Sequence, residues 1–160
     1  MPKVIMTIGR ICSGKSSYAK AMAKRINAVI FSVDEITLKL LGQSGSGRLD
    51  EYVKKLKEYF FQKTLQTLNN GVNVILDWGF WTREERDFAR SFFKDAGAEY
   101  EFHFINITDD EWQRRVAKRN EDIFAGKVQD YLVDNGLAEK ADALFETAAA
   151  DEKDVIFTEE

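Results

Sequence analysis

The sequence predicts a single α/β domain in which helices cover both faces of a mostly parallel, five-stranded sheet. Short apolar runs typical of buried strands alternate along the chain with amphipathic segments of helical spacing. The first such run, Val4 to Ile8, leads directly into a glycine-rich turn and then a helix. A length of 160 residues suits one domain with a sizeable core. We therefore expect one three-layer α/β/α domain over residues 1–160.

The remaining elements follow from apolar patterning and helix-start signals. Further strands are predicted at residues 28–31, 72–76, 100–105 and 155–157. Helices are predicted at about residues 13–26, 32–41, 49–70, 82–97, 108–119 and 137–147. Ser32 can cap the second helix, and Thr82 and Thr108 each begin a capping box. The stretch Gly42 to Gly47 is predicted to be a mobile loop.

Composition excludes several classes of protein. Hydrophobic residues make up 44% of the chain and charged residues 31%, as in ordinary globular domains. One Cys and one His exclude a disulfide framework and argue against a structural zinc site. The single histidine, His103, alternates with aromatic residues on a predicted strand and is expected to be structural.

No apolar run is long enough for a signal peptide or membrane span, so we expect a cytoplasmic protein without a membrane partner. Its oligomeric state is not predicted.

The net charge of −4 conceals a gradient along the chain. Residues 1–33 contain six basic residues and no acidic one, whereas residues 130–160 contain ten acidic and two basic residues. A net acidic chain argues against broad nucleic-acid binding, for which a basic surface supplies most of the affinity. The basic beginning coincides with the glycine-rich turn, and this indicates an anion-binding site there.

That turn fits the pattern Gly-x4-Gly-Lys-Ser from Gly9 to Ser16, between a buried-type strand and a helix. Glycines let the chain wrap around a phosphate, and the helix start adds partial positive charge. Lys15 is expected to reach the β- and γ-phosphates, and the Ser16 hydroxyl to bind Mg²⁺. The pattern predicts ATP and Mg²⁺ as cofactors, with ATP bound by Gly9, Arg10, Ile11, Cys12, Ser13, Gly14, Lys15, Ser16 and Ser17.

Three classes of phosphate-loop protein compete for this motif. A GTPase would normally carry an Asn-Lys-x-Asp motif, which the sequence lacks. Large ring-forming ATPases usually need a longer core and a helical lid domain, for which 160 residues leave little room. A small kinase fits the length.

The chain resembles the small P-loop kinases that include polynucleotide 5′-kinase, chloramphenicol phosphotransferase and zeta-toxin-type kinases. Besides the phosphate loop, three segments carry the resemblance: Ser32-Val33-Asp34-Glu35, residues 76–86 (LDWGFWTREER), and Arg115-x3-Arg119-Asn120. The resemblance implies a P-loop NTPase fold with strand order 2-3-1-4-5. It also implies a lid segment around residues 115–130 and an acceptor-side loop and helix around residues 34–60.

Four residues outside the loop are candidates for catalysis or metal binding. Asp34 follows the second strand, and the resemblance implies that it contacts the substrate hydroxyl as catalytic base; a helix-start carboxylate is the alternative. Asp77 ends the third strand, where P-loop enzymes place a carboxylate that holds Mg²⁺, here expected to act through water. Arg115 and Arg119 share one helix face, and the resemblance implies that they reach over the ATP phosphates as catalytic residues.

Trp78, Trp81 and Arg83 are candidate substrate-binding residues in the segment after Asp77. The tryptophans either pack in the core or form an acceptor pocket for an apolar or planar substrate. Arg83 is expected to bind substrate or phosphate.

The sequence thus predicts an ATP-dependent phosphotransferase acting on a hydroxyl of a small-molecule partner. One alternative is a polynucleotide 5′-hydroxyl kinase, which predicts a basic groove near Asp34 formed by Arg48, Lys54, Lys55 and Lys57. The other is a nucleotide-binding regulator that hydrolyses ATP slowly.

Overall fold

The computed structural model describes residues 1–43, 47–128, 131 and 135–158, and confirms the alternation of strands and helices. The strands in these ranges are β1 (Lys3–Ile8), β2 (Ala28–Phe31), β3 (Asn73–Leu76), β4 (Glu99–Asn106) and β5 (Val155–Thr158). The helices are α1 (Lys15–Ile26), α2 (Val33–Leu41), α3 (Leu49–Asn69), α4 (Arg83–Asp95), α5 (Asp109–Phe124) and α6 (Asn135–Leu144).

The strands form one sheet in the order β2-β3-β1-β4-β5, which confirms the predicted order. All four strand pairings are parallel, so the sheet is wholly rather than mostly parallel. Because parallel strands end at the same edge, the segments after β1, β2 and β3 meet there. The phosphate loop, Asp34 and Asp77 are therefore neighbours in space although they are distant in sequence.

The sheet separates two apolar cores, which explains the continuous apolar run of β1. Val4 and Met6 belong to the larger core, together with Phe60 of α3 and Phe93 of α4. Ile5 faces the opposite side, where α1 packs over a smaller core. A strand covered on both faces needs apolar residues at consecutive positions rather than at alternate ones.

The predicted helix caps are confirmed. The side-chain oxygens of Ser32, Thr82 and Thr108 each accept a hydrogen bond from the backbone N–H three residues later, at the starts of α2, α4 and α5. Within the described ranges, no helix is both long and apolar enough to cross a membrane.

Two predicted helix boundaries are wrong. Helix α5 continues to Phe124 instead of ending near Arg119, because no helix-breaking residue occurs before Gly126, which has a φ of 73°. Helix α6 spans Asn135–Leu144 rather than residues 137–147. Part of the predicted mobile loop (44–46) and part of the predicted lid (129–130) lie outside the described residues.

Candidate active site

A cavity of about 750 Å³ opens at the carboxyl edge of the sheet. We call the part lined by residues 11–16, Asp77 and Arg119 the phosphate half. The part lined by α2, α3, residues 78–81, Glu85 of α4 and Lys140 of α6 is the acceptor half. Every segment that the sequence marked after β1, β2 and β3 contributes to this one cavity.

The backbone of the phosphate loop is tightly curved. Gly14 adopts a left-handed conformation with a φ of 97° at the start of α1, and Cys12 has a φ of 59°. A Cβ atom at Gly9 would lie only 2.6 Å from the Ser13 hydroxyl oxygen and 3.2 Å from the Ile105 carbonyl oxygen. The loop therefore requires glycine at both ends of its motif, and α1 directs its N-terminal N–H groups into the cavity.

Lys15 lies in the phosphate half and is held by the loop itself. Its ammonium group donates a hydrogen bond of 2.8 Å to the Arg10 carbonyl oxygen. Burial lowers the pKa of Lys15 below its ordinary value of 10.5, while the Asp77 and Asp34 carboxylates act in the opposite direction. A bound phosphate would act in the same direction as these carboxylates, so the charged ammonium is suited to an anionic ligand.

Ser16 and Asp77 come together as the sequence predicted for a metal site. The Ser16 hydroxyl donates a hydrogen bond of 2.8 Å to Asp77 Oδ2. Asp77 is 9% exposed, at the end of β3. A hydroxyl and a carboxylate are both oxygen ligands of the kind that Mg²⁺ prefers, and they adjoin the phosphate loop.

The three arginines assigned to ATP differ in placement. Arg119 lines the phosphate half directly. Arg115 donates a hydrogen bond of 3.2 Å to the Ser13 carbonyl oxygen and pairs with Glu111, so it braces the loop from behind. The Arg10 side chain lies outside the described cavity lining: its guanidinium stacks 4.0 Å from the centre of the Trp112 ring and forms ion pairs with Asp109 and Asp142.

In the acceptor half, Asp34 lies in the first turn of α2, exposed and lining the cavity. Trp78 both lines the cavity and packs in the larger core, where it is 7% exposed. Its indole N–H donates a hydrogen bond of 3.1 Å to Glu85. Trp81 is half-buried and also lines the cavity. One side of the tryptophan cluster packs in the core, and another side forms part of the cavity wall. The tryptophans therefore occupy both of the settings that the sequence left open.

Arg83 is not brought to the described cavity lining. It pairs with Asp87 at 3.2 Å and with Glu152 at 3.2 Å on the outer side of α4. Arg86, three residues later, is wholly buried and forms two hydrogen bonds with Glu152. It also donates a hydrogen bond of 2.8 Å to the carbonyl oxygen of Phe80, whose φ of 45° is unusual for an aromatic residue. Arg86 thus fixes the backbone that carries the acceptor-half tryptophans.

Lys57 and Glu85 also line the acceptor half, and sequence reasoning did not assign them to a small-molecule site. They form an ion pair of 2.7 Å between α3 and α4, which are distant in sequence. The sequence indicates a binding role only for Lys57, as part of a possible nucleic-acid groove on the acceptor-side helix.

A phosphate loop, a serine–aspartate pair and an arginine over the loop together define a P-loop nucleotide-binding protein. A family model described as an AAA domain matches residues 4–156, and the chain belongs to that family. No curated protein sequence matches the chain significantly.

Solved structures with similar folds include kinases and an RNA repair complex. A putative kinase from Chloroflexus aurantiacus has a TM-score of 0.72 and 15% identity, over 99% of this chain and 84% of that one. The APS kinase CysC of Mycobacterium tuberculosis, in complex with AMPPNP and APS, has a TM-score of 0.67 and 20% identity, over 98% and 88%. A Pnkp1/Rnl/Hen1 RNA repair complex has a TM-score of 0.69 and 22% identity, over 89% and 43%. These likenesses confirm the P-loop kinase fold.

Proposed function

We propose that the protein is an ATP-dependent kinase that transfers the γ-phosphate of ATP to a hydroxyl of a small molecule. One observation carries the proposal: the phosphate loop and Asp34 line the same cavity, so donor and acceptor can meet within it. The kinase fold and the family membership agree with this assignment.

In the proposed reaction the phosphate loop and Lys15 hold the ATP phosphates. Mg²⁺, held by Ser16 and, through water, by Asp77, would neutralise charge on the phosphates. Asp34 orients the acceptor hydroxyl and accepts its proton as the new bond forms between the hydroxyl oxygen and the γ-phosphorus. The bond from that phosphorus to the β–γ bridging oxygen breaks, and ADP leaves. Arg119 stabilises the transferred charge, and Arg115 keeps the loop in place for it.

We also propose that residues 1–160 act as one cytoplasmic kinase domain. Residues 115–130 would serve as its lid and residues 34–60 as its acceptor-side segment. The contact between Arg115 and the Ser13 carbonyl supports the first assignment, because it links α5 to the phosphate loop. The lining of the acceptor half by α2 and α3 supports the second.

The polynucleotide kinase alternative rests on the likeness to the RNA repair complex. The charges near Asp34 do not favour it. Three cations of the groove that it requires already pair with acidic residues: Arg48 and Lys55 with Glu51, and Lys57 with Glu85. Phosphates of a nucleic acid would have to compete with these carboxylates.

A screen with γ-labelled ATP and Mg²⁺ tests the proposal. Hydroxyl compounds and a 5′-hydroxyl oligonucleotide are offered as acceptors to the wild type and to Lys15→Ala and Asp34→Asn. We expect label transfer to a small molecule by the wild type only. Transfer to the oligonucleotide with strong salt dependence would instead establish the alternative kinase. ATP binding without transfer to any acceptor would favour the nucleotide-binding regulator.

A further inference from the structure

The cations of the acceptor half are each matched by a neighbouring carboxylate. Apart from the residues near the phosphate loop, the lysines described in its lining are on α2, α3 and α6. Each lies within 4.0 Å of an acidic side chain that also lines the cavity: Lys39–Glu35 at 3.9 Å, Lys57–Glu85 at 2.7 Å and Lys140–Asp50 at 3.9 Å. Because each lysine charge is already compensated by a neighbouring carboxylate, an anionic group on the acceptor would gain less from these lysines than from unmatched ones.

Lys57–Glu85 is the most strongly built of the three pairs. Both side chains are partly buried, at 29% and 22% exposure, and Glu85 also accepts the indole N–H of Trp78. The Lys57 ammonium lies 5.8 Å from the centre of the Trp78 ring. Ion pairs that lose water on both sides are costly to separate, because the abandoned charge stays partly buried. This pair therefore resists exchange for a charged ligand.

Part of the wall between these pairs is apolar. It includes Val33 and Leu38 of α2 and Val53 of α3. Behind it, aromatic rings stack in a column whose successive centres are 5.0, 6.2 and 5.0 Å apart, from Phe31 through Phe60 and Trp78 to Phe80. A stacked column is rigid, so this wall offers a fixed apolar surface to one face of a ring-shaped ligand.

One donor in this wall lacks a protein partner. The Trp81 indole nitrogen is buried and forms no hydrogen bond within the described part of the chain. A buried N–H without an acceptor costs free energy, and a ligand oxygen placed against it would recover that cost. Trp81 and Gly79, against which the indole nitrogen lies, both line the cavity that Asp34 lines, so a ligand oxygen that enters between them would reach the N–H.

We propose that the acceptor is an uncharged hydroxyl compound with an apolar ring face, selected by the Lys57–Glu85 pair and by the Trp81 indole N–H. This inference rests on the proposed kinase function. Asp34 orients the reacting hydroxyl, Trp81 donates to a second oxygen of the same molecule, and the matched ion pairs disfavour acceptors that carry phosphate or carboxylate.

Binding of matched compounds without nucleotide tests the class of acceptor. Glucose is compared with glucose 6-phosphate, and benzyl alcohol with 4-(hydroxymethyl)benzoate, by NMR titration of the indole N–H signals. We expect each neutral compound that binds to shift the Trp81 signal and to bind at least about tenfold tighter than its charged counterpart. Equal or tighter binding of the charged compounds, binding of a 5′-hydroxyl oligonucleotide instead, or no binding of either neutral compound would overturn the inference.

Two variants test the residues. Glu85→Gln leaves Lys57 without its partner, so the preference for the neutral compound should shrink severalfold. Glu51→Gln, which breaks an ion pair on α3 outside the described cavity lining, should leave the preference unchanged. Trp81→Phe keeps an aromatic ring but removes the N–H, and should weaken binding of the neutral compound by about threefold to tenfold. An unchanged preference in Glu85→Gln together with unchanged affinity in Trp81→Phe would contradict the assignment.

These measurements distinguish the two proposals. Because binding is followed without ATP, a protein that binds neutral ring compounds but transfers no phosphate would refute the kinase function alone. A protein that phosphorylates only charged acceptors would keep the kinase function and refute the acceptor class.

Discussion

The phosphate half and the acceptor half of the cavity are built in different ways. The phosphate half is built around one contiguous segment, Gly9 to Ser16, in which backbone geometry determines the site, and only Asp77 and Arg119 of its described lining come from elsewhere. The acceptor half is assembled from α2, α3, α4 and residues 78–81, and its side chains meet only in the folded protein. The backbone geometry of the phosphate half can therefore be shared by many proteins of this fold. The acceptor half, in contrast, can be altered by substituting single side chains.

The two halves also differ in how charge is handled. In the phosphate half, burial disfavours the charge on Lys15 and lowers its pKa, so an anionic ligand beside the ammonium would stabilise the charged form. In the acceptor half, Lys57 is already matched by Glu85. On the two proposals above, the cavity binds phosphate on one side and disfavours it on the other.

The largest expected effect is that of Asp34→Asn, which separates the two halves functionally. Loss of the base should lower kcat for phosphotransfer by roughly 10²–10⁴-fold. ATP affinity should change less than about threefold, because the phosphate half is intact. Steady-state kinetics and calorimetric titration with ATP measure the two quantities. A variant that keeps its kcat would assign Asp34 to stabilising the first turn of α2 instead.

A somewhat smaller effect is expected within the phosphate half from Arg119→Met. Since Arg119 lines the cavity, its loss should reduce kcat by on the order of 10²–10³-fold. Arg115→Met removes only a brace on the Ser13 carbonyl and should cost less. Kinetics of both variants at saturating ATP check this order. The reverse order would mean that Arg115 moves onto the phosphates when ATP binds.

Stability should depend on Arg86, which supports the acceptor half from behind. Arg86→Met leaves Glu152 buried without its main partner, and should lower the free energy of unfolding by about 3–5 kcal/mol. Arg83→Met is the matched control, because the Arg83 side chain is 43% exposed and its loss leaves the Arg86–Glu152 pair in place, so the free energy of unfolding should fall much less. Urea unfolding measures both. Equal losses of unfolding free energy in the two variants would show that the buried Arg86–Glu152 pair contributes no more than the exposed ion pairs of Arg83.

The smallest effect is a dependence of stability on acid pH. Burial by itself raises the pKa of Glu152, but hydrogen bonds from Arg86 and the Ala149 N–H outweigh it and hold the pKa below its ordinary value of 4.5. A carboxyl group with a lowered pKa stabilises the fold above 4.5 and loses that contribution as pH falls through the folded-state value. Thermal unfolding of the wild type and Glu152→Gln should therefore converge below pH 4.5. If the difference in melting temperature between the two proteins stayed the same at every pH, the link between Glu152 protonation and stability would be excluded.

Local patterns predicted the fold, and they indicated where the phosphate half lies. The run Val4–Ile8, the capping residues and the Gly-x4-Gly-Lys-Ser spacing act through neighbouring residues, and a sequence displays such information directly. The pairing of Ser16 with Asp77 was also predictable, since parallel strands end at a common edge.

Most of the acceptor half could not be predicted in this way. The contact between Lys57 and Glu85 depends on how α3 packs against α4, and no spacing encodes that packing. Arg83 and Arg86 have similar settings in the sequence, yet one is exposed and the other is wholly buried beside Glu152. Their difference in burial depends on the segment before β5, which carries the partner Glu152 and lies about seventy residues further along the chain.

Transfer of labelled γ-phosphate in a single turnover tests the central claim most directly, namely that donor and acceptor meet in one cavity. Wild type, Lys15→Ala and Asp34→Asn are each mixed with labelled ATP, Mg²⁺ and an acceptor from the screen, while ATP binding is measured in parallel. We predict that Lys15→Ala loses both ATP affinity and transfer, whereas Asp34→Asn binds ATP and fails only in transfer. Wild-type transfer by either variant would contradict the account.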